Sequence, residues 1–246
     1  MKVQLNQLQR SLKGELHYDQ AMRTLYATDA SAYREMPLAV AFPKGKEDIK
    51  QLIAFARKHK TSLIPRTAGT SLAGQVVGNG IIVDVSRTFT RILEVNKEER
   101  WVRVEPGVIR DELNMHLKAY GLFFGPETST ANRAMIGGMI GNNSCGSNSV
   151  VYGSTRDHLL EVESILSDGS EVTFSQVTDE EFWHKAESVE TVPNDREHEI
   201  YVGLSDILKD EDNQHEIRKE FPKMSIPRRN TGYALDLLLE TSPFTE

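Results

Sequence analysis

Glycine is concentrated in two short stretches of this chain, and that placement constrains the fold more than any other feature of the sequence. Nine of the 17 glycines fall in these stretches: Gly69, Gly74, Gly78 and Gly80, and then Gly137, Gly138, Gly141, Gly146 and Gly153. Glycine weakens regular structure and is useful where the backbone adopts positive φ or where another group approaches it closely. The sequence therefore predicts two irregular segments that are either plain surface loops or the walls of a ligand site.

Threonine, serine and asparagine accompany the glycines, so short hydrogen-bonding side chains stand beside exposed main-chain amides. Such a run of N–H groups suits phosphate oxygens. The first stretch is not a P-loop, because Gln75 and Val76 stand where that motif requires lysine and serine or threonine. It is not a Rossmann fingerprint either, because Gly78-Asn79-Gly80 lacks the third glycine and precedes a strand. The pattern favours a different kind of nucleotide cofactor.

The apolar pattern predicts an α+β fold. Short apolar runs indicate strands over residues 38–42, 62–65, 81–85, 92–95 and 101–105, and a hairpin of 159–166 with 171–174 around Asp168-Gly169. Helical patterns cover the first thirty residues, 46–60, a segment ending near Gly121, and 179–213, the last with an exposed insertion at 192–194. Consecutive strands, rather than strict alternation of strands and helices, indicate α+β.

Composition excludes several classes of function. The formal net charge of −7 provides no basic surface for nucleic acid. The longest nearly uncharged stretch, residues 135–152, is too rich in glycine, asparagine and serine to be a membrane span. Cys145 is the single cysteine, which rules out an internal disulfide and predicts a reducing, cytoplasmic location. The seven histidines lack metal-ligand spacing, so we expect no metal site.

Several motifs, in order along the chain, resemble the FAD-linked oxidase family of the p-cresol methylhydroxylase/vanillyl-alcohol oxidase type, which includes glycolate oxidase flavin subunits and D-lactate dehydrogenases. Residues 65–75 (P-R-T-A-G-T-S-L-A-G-Q) resemble its diphosphate loop P-R-G-G-G-T-S. The other matches are T-D-A-S at 28–31, G-P-E-T-S at 125–129, I-G-G-M-I-G-N-N-S-C-G at 136–146, Y-G-S-T-R-D at 152–157 and R-N-T-G-Y at 229–233.

The resemblance implies FAD as the cofactor and a fold with two α/β subdomains around it. We expect an N-terminal helical segment at 1–35 and an FAD-binding domain at 36–240, divided into subdomains of about 36–95 and 96–240. The cap domain that supplies substrate and catalytic groups is expected to lie outside these 246 residues. An iron–sulfur region and a peripheral membrane location are expectations for the longer protein.

The resemblance also assigns residues to the cofactor. The diphosphate loop supplies Pro65, Arg66, Thr67, Ala68, Gly69, Thr70, Ser71, Leu72 and Gln75. The later motifs supply Pro126, Thr128, Ser129, Gly137, Gly138, Asn142, Asn143, Cys145, Gly146, Tyr152 and Gly153, and the Val162 backbone is expected at the adenine. Arg66 either neutralises the diphosphate or faces outward at the surface. Thr67 and Ala68 replace family glycines, so the loop is reshaped there or its φ angles suit side chains.

The function that the resemblance implies is oxidation of a D-2-hydroxy acid, of the lactate or glycolate class, by hydride transfer to flavin N5. The 246 residues alone are then expected to be inactive. Two other functions stay open: a reductase of similar fold acting on UDP-N-acetylenolpyruvylglucosamine, and a domain without catalysis that has lost the cofactor. Asn142 and Asn143 either contact the flavin or cap a helix, and Cys145 either forms a thioether to the flavin or simply meets a demand for a small residue.

Overall fold

A computed structural model describes residues 1–187, 196–226, 229 and 232–241. It divides into two compact units, Met1–His158 and Leu159–Glu246. These are called the first and second units below. The expected insertion at 192–194, and Asn230 and Thr231 of the last motif, lie outside the described residues.

A four-stranded sheet organises the start of the first unit. Its strands, in spatial order, are β1 (Glu15–His17), β2 (Ala39–Phe42), β4 (Ile81–Asp84) and β3 (Leu63–Arg66). The last three are parallel, and β1 pairs antiparallel with β2 at the edge. β2 and β4 are buried along their whole length, as expected for parallel strands covered on both faces.

Alternation along these strands builds a separate apolar cluster on each side of the sheet. Ala39, Ala41, Ile81 and Val83 pack with helices α1 (Lys2–Ser11) and α3 (Lys46–His59). Val40, Phe42 and Ile82 point to the opposite side, where Met22 and Tyr26 join them. The N-terminal residues are therefore part of the core of the first unit. The following helix, α2 (Gln20–Leu25), buries none of its own residues.

A buried carboxylate joins the N-terminal segment to the start of α3. Asp48, which is 1% exposed, accepts hydrogen bonds from the main-chain N–H groups of Lys13, Gly14 and Lys44, at 2.8 to 2.9 Å. Because three donors surround it, the charge is compensated without a cation. Gly14 is required there, since a Cβ would lie 2.1 Å from the Phe42 carbonyl oxygen.

A second layer of the first unit carries the other glycine-rich stretch. It contains the antiparallel strands β5 (Ile92–Asn96) and β6 (Trp101–Val104), and helices α4 (Arg110–Leu117), α5 (Ile136–Gly141) and α6 (Ser149–Tyr152). Buried side chains of α4 and α5, and of the residues just before them, form one cluster with the hairpin: Val108, Leu113, Leu117, Ala134, Ile136 and Met139. Two 3-10 turns, Lys118–Tyr120 and Thr155–His158, follow α4 and α6.

The second unit is a hairpin followed by helices. The expected hairpin forms from β7 (Glu161–Ile165) and β8 (Glu171–Ser175), and Gly169 adopts positive φ in its turn. The helices are α7 (Asp179–Glu187), α8 (Arg196–Lys209), α9 (Glu211–Glu220) and α10 (Leu235–Leu239). Asp210 caps α9 by accepting from the Asn213 N–H at 2.8 Å.

The α+β class is confirmed by this mixture of a largely parallel sheet, two antiparallel hairpins and ten α-helices among the described residues. The two compact units meet at 158/159, whereas the sequence-based domain boundaries were placed at 35/36 and 95/96. Those boundaries stay predictions. Among the described residues, no helix is both long and apolar enough to cross a membrane.

Candidate functional site

The first glycine-rich stretch begins where β3 ends, at the carboxyl edge of the parallel sheet. From Thr67 to Leu72, no main-chain N–H donates a hydrogen bond to another group in the described part of the chain. Five of these six residues are half-buried. Six successive main-chain N–H groups without an internal acceptor offer hydrogen-bond donors to an anion. Gly69 adopts a φ of +65° in the middle of this run, which we call the amide loop (67–72).

The T-D-A-S motif packs directly against the amide loop. The Ala30 N–H donates to the Gly69 carbonyl oxygen at 3.2 Å. The Arg66 guanidinium donates to the Thr28 carbonyl oxygen at 2.9 Å and lies 4.9 Å from the centre of the Tyr26 ring. The side chain of Arg66 therefore turns back toward residues 26–28. Its role at the diphosphate stays a prediction.

The two glycine-rich stretches meet at Gly138. A Cβ built on this residue would lie 2.4 Å from Thr67 Oγ1, so helix α5 and the amide loop are in contact. Gly137 is held equally tightly on its other side, where a Cβ would lie 2.4 Å from Pro106 Cβ. Both positions need glycine because Pro106 and Thr67 approach the helix backbone closely, and not because φ is positive.

The amides at the start of α5 differ in what they bind. The Gly137 N–H donates to the Pro106 carbonyl oxygen at 2.8 Å, so this donor is already used inside the protein. The Gly138 N–H has no acceptor among the described residues, and Gly138 is exposed. Of the two, Gly138 is the residue with a donor left for a ligand beside the amide loop.

The G-P-E-T-S segment is in contact with the end of the second glycine-rich stretch. A Cβ on Gly146 would lie 2.3 Å from the Glu127 carbonyl oxygen, and Asn148 Nδ2 donates to the Glu127 carboxylate. Pro126 is buried, and its carbonyl oxygen accepts from Arg110 Nε at 3.0 Å. Thr128 is half-buried and Ser129 is exposed.

The asparagines after α5 have different environments. Asn143 has a φ of +45°, and its Oδ1 accepts from the Arg156 N–H at 2.9 Å, so this side chain supports the fold. Asn142 is exposed, and its Nδ2 donates to Ser144 Oγ at 3.1 Å. Cys145 is half-buried between these residues and Gly146.

The Y-G-S-T-R-D motif turns the chain back onto the same region. Gly153 has a φ of +71°, and the Asp157 carboxylate accepts from the Ser154 N–H and hydroxyl, at 2.7 and 2.9 Å. The hydroxyl of Thr155 donates to the Ser144 carbonyl oxygen at 2.7 Å. The Tyr152 ring lies against Gly125 and packs edge-on to Phe123, with ring centres 5.3 Å apart.

Some expected site residues lie at the margin of this arrangement or in the second unit. Pro65 belongs to β3 and pairs with Val83. Leu72 is 80% exposed, and the exposed Gln75 accepts from Ser71 Oγ at 2.6 Å. Val162 lies on β7 of the second unit.

Electrostatics beneath the amide loop centres on two acidic residues. Burial raises the pKa of Asp29, but hydrogen bonds from Ser31 and the charge of Arg66 outweigh it, so the pKa lies below its ordinary value. Burial and the adjacent Asp84 raise the pKa of Tyr26, whose hydroxyl donates to Asp84 Oδ2 at 2.6 Å. Within the described ranges, no group of three or more histidine, cysteine or acidic side chains is arranged to hold a metal ion.

Sequence reasoning missed Tyr26 and Asp84 as parts of this region. The two residues are 58 positions apart, so no local pattern joins them. Asp84 did carry a signal in the sequence, because it ends an otherwise apolar run, and the structure leaves it only 3% exposed. A carboxylate in that position requires a partner.

Comparison with known proteins gives the family. A family model described as an FAD binding domain matches residues 37–175, more than half of the chain. The chain belongs to this FAD-binding family. The matched range includes the amide loop, helix α5 and the hairpin of β7 and β8.

Curated relatives are oxidoreductases of 2-hydroxy acids. D-2-hydroxyglutarate dehydrogenase of Pseudomonas putida is 47% identical over 160 residues, which cover 64% of this chain and 16% of that protein. The Haemophilus influenzae enzyme of the same name is 37% identical over 226 residues, which cover 91% of this chain and 21% of that enzyme. Glycolate oxidase subunit GlcD of Bacillus subtilis is 33% identical over 151 residues, covering 61% and 32%. The chain spans about a fifth of the length of the dehydrogenases.

Solved structures share the fold. Alkyldihydroxyacetonephosphate synthase has a TM-score of 0.61 at 18% identity, covering 72% of this chain and 38% of that one. The 6-hydroxy-D-nicotine oxidase of Arthrobacter nicotinovorans has a TM-score of 0.59 at 20% identity, covering 67% and 36%. The expected family, the FAD-binding fold and FAD as cofactor are confirmed, and the chain belongs to a family of oxidoreductases.

The described residues fit FAD. A diphosphate carries acceptor oxygens alone, and the site offers it successive main-chain N–H donors. Gly138 leaves room for the Thr67 side chain where the two stretches meet, and Gly69 leaves room for the Arg66 guanidinium beside the amide loop. Both features favour a ligand that the main chain recognises.

Proposed function

We propose that the amide loop binds the diphosphate of FAD, and that this chain is the FAD-holding part of a longer dehydrogenase of a D-2-hydroxy acid, with D-2-hydroxyglutarate as the substrate. One observation carries the first half of the proposal: the six successive N–H groups of residues 67–72 without an internal partner. The second half is supported by the names and the identities of the relatives.

Main-chain recognition explains why the loop needs no lysine. Two phosphates bring negative charge, and main-chain N–H dipoles provide partial positive charge without desolvating a cation. The Gly138 N–H stands beside the loop and supplies a further donor. The Thr67 side chain, where the family has glycine, occupies the contact with Gly138.

The substrate proposal rests on graded similarity. The D-2-hydroxyglutarate dehydrogenases are 37–47% identical to this chain, whereas the glycolate oxidase subunit is 33% identical over a shorter range. This argues for the dicarboxylic 2-hydroxy acid over the lactate or glycolate class expected from the motifs. Because the chain spans about a fifth of those enzymes, we assign the substrate contacts, the base and any iron–sulfur centre to the remainder of the longer protein.

When bound, FAD would supply the hydride acceptor for oxidation of the substrate, and that chemistry belongs to the cofactor. The residues described here bind and orient it. The amide loop would hold the diphosphate, and Gly138 on helix α5 lies in contact with that loop. We expect the 246 residues alone to show no turnover of D-2-hydroxyglutarate with a dye acceptor, and sustained turnover would contradict this division. The reducing, cytoplasmic location stays a prediction from the single cysteine.

FAD titration of the 246-residue chain tests the cofactor site. Gly69→Ala places a side chain at a φ of +65° and 2.6 Å from the Arg66 guanidinium, in the centre of the amide loop. We expect flavin fluorescence to report tight binding by the unaltered chain and at least tenfold weaker binding by this variant. Gly121→Ala is the matched control, because it has a φ of +70° and no atom within 4 Å of the new Cβ.

The control should lose about 1 kcal/mol of stability from the strained backbone and keep its affinity for FAD. Equal loss of affinity in the two variants would mean that the effect is general destabilisation. Unaltered affinity in Gly69→Ala would remove the amide loop from the site.

The substrate is tested with the longer protein under anaerobic conditions. D-2-hydroxyglutarate is expected to bleach the flavin absorbance faster than D-lactate or glycolate, and NADPH is expected to leave it unchanged. Bleaching by D-lactate or glycolate alone would return the substrate to the class expected from the motifs. Bleaching by NADPH would favour the reductase that the sequence left open.

A further inference from the structure

Arg66 stands at the entrance of the amide loop, yet its side chain is directed to the protein beneath it. Its Nη1 donates to the Thr28 carbonyl oxygen at 2.9 Å, and its guanidinium lies 4.9 Å from the centre of the Tyr26 ring. Planar guanidinium groups stack on aromatic faces and donate in fixed directions. This side chain uses both properties at once.

The Tyr26 ring is itself fixed from below. Its hydroxyl donates to Asp84 Oδ2 at 2.6 Å, and Asp84 Oδ1 accepts from the Ser86 N–H at 2.8 Å. The ring also packs edge-on to Phe42, with centres 5.9 Å apart. Asp84 and Phe42 belong to the two central strands of the sheet, so the support under Arg66 is part of the core.

On its other side, Arg66 touches Gly69. A Cβ at Gly69 would lie 2.6 to 2.9 Å from Nη2, Nε and Cζ of Arg66, so the guanidinium lies directly against the glycine backbone. The Gly69 carbonyl oxygen is held by the Ala30 N–H at 3.2 Å. The left-handed glycine at the centre of the amide loop is therefore fixed from two directions, and the guanidinium is one of them.

We propose that Arg66 is a positioning residue for cofactor binding and that it acts through Gly69 rather than as a cation on the diphosphate. The stack of Asp84, Tyr26 and Arg66 transmits the rigidity of the sheet to the amide loop. It holds the N–H groups of residues 67–72 in one orientation before the ligand arrives. This inference rests on the proposed binding of FAD by that loop.

Charge and shape are separable at Arg66. Lysine retains the positive charge but cannot stack as a plane, fill the space against Gly69 and donate to Thr28 together. If Arg66 acted as a cation on the diphosphate, FAD binding would tolerate Arg66→Lys far better than Arg66→Gln. A positioning residue would lose its effect in both variants.

The test measures the FAD dissociation constant and the urea midpoint of the 246-residue chain. Arg66→Lys and Arg66→Gln are each expected to weaken FAD binding about tenfold to a hundredfold, as for loss of one charge-assisted hydrogen bond. Tyr26→Leu, which removes the support, is expected to weaken binding similarly. The double variant of Tyr26→Leu with Arg66→Lys is expected to bind no worse than the weaker single one.

Two further variants separate positioning from stability. Tyr26→Phe loses the bond to Asp84 but keeps the ring that Arg66 lies over, so we expect lower stability and a loss of FAD affinity that is smaller than that of Tyr26→Leu. Arg87→Lys is the matched control, because Arg87 lies over the Phe42 ring at 4.6 Å in the same unit. It is expected to leave FAD affinity unchanged.

Three results would overturn the inference. Near-normal affinity in Arg66→Lys with a large loss in Arg66→Gln would make Arg66 a charge on the diphosphate. Additive losses in the double variant would separate Arg66 from Tyr26. If the unaltered chain does not bind FAD, the proposed function fails and the inference fails with it. Either of the first two results would overturn the inference and leave the proposed function standing.

Discussion

The contact between Thr67 and Gly138 joins the two glycine-rich stretches, and it yields a prediction that is specific to this pair. Gly138→Ala brings a methyl group to 2.4 Å from Thr67 Oγ1, whereas Thr67 Cβ stays at 3.8 Å, an ordinary contact. Overpacking of this kind costs about 1–3 kcal/mol, and an alanine in a helix recovers roughly 0.5–1 kcal/mol relative to glycine. The single variant should therefore be less stable by about 1 kcal/mol, within a range of roughly 0 to 2.5 kcal/mol.

Thr67→Ala removes the clashing oxygen and nothing else that Gly138 touches. Combined with Gly138→Ala, it should restore stability, so the coupling between the two substitutions is expected to be about 1–2 kcal/mol in favour of the double variant. Urea unfolding of the four proteins measures it. The pair Thr67→Ala and Gly121→Ala is the control, because Gly121 has no neighbour to clash with, and it should be additive.

FAD affinity, measured on the same proteins, should follow the same order. Gly138→Ala pushes the amide loop away from α5 and is expected to weaken binding at least tenfold, and the double variant should recover part of it. Additivity within about 0.5 kcal/mol in the stability data would refute the reasoning, since it would mean that the two stretches do not touch.

Three other outcomes follow from the structure. Asp48→Asn should lower the free energy of unfolding by about 3 kcal/mol, measured in urea, because the side-chain amide cannot accept from three N–H donors. Glu47→Gln, on the exposed side of the same helix turn, is the control and should change it by no more than about 0.5 kcal/mol. Burial raises the pKa of Glu105, but hydrogen bonds from Arg91 outweigh it and hold this pKa below the ordinary 4.5. The ion pair therefore stabilises the fold above that pH, and this stabilisation is lost on acidification. Arg91→Gln should flatten the acid dependence of stability, and an unchanged pH profile would contradict the assignment. Acid precipitation of the FAD-loaded chain should release all flavin to the supernatant, since we expect Cys145 to be there because the position needs a small residue. Flavin that stays with the polypeptide, but is lost in Cys145→Ala, would prove a thioether.

The sheet and the helices could be read from the sequence where burial imposes a period. The strand β2 is a wholly apolar run and β4 is apolar up to Asp84, and both form within one residue of the expected bounds. The helix predicted over 46–60 spans Lys46–His59 and ends where Lys60 adopts positive φ. In these elements local pattern and tertiary burial agree, so sequence reasoning succeeds.

Short elements stabilised by distant partners could not be found in this way. The edge strand β1 has three residues and is fixed by pairing with β2 and by the Asp48 hydrogen bonds, neither of which leaves a period in the sequence. Leu25 matches the helical pattern of the first thirty residues, yet it is 70% exposed. The burial of a single turn depends on what packs against it.

The site was predictable in its main chain and less so in its side chains. Clustered glycines indicated where the backbone must bend or be approached, and Gly69, Gly138, Gly146 and Gly153 all have such a reason in the structure. The direction of the Arg66 side chain depends on Tyr26 and Asp84, which no motif connects to it. Motif matching alone would give Arg66 to the phosphate.

The central claim is that the main-chain N–H groups of residues 67–72 donate hydrogen bonds to the diphosphate. Amide hydrogen exchange, resolved by residue in NMR spectra of the 246-residue chain, measures this directly with and without FAD. The amides of residues 67–72 and of Gly138 are expected to exchange quickly in the free protein and to become strongly protected on addition of FAD or of ADP, which carries the same diphosphate. Saturating FAD that protects other amides and leaves these seven unchanged would contradict the account.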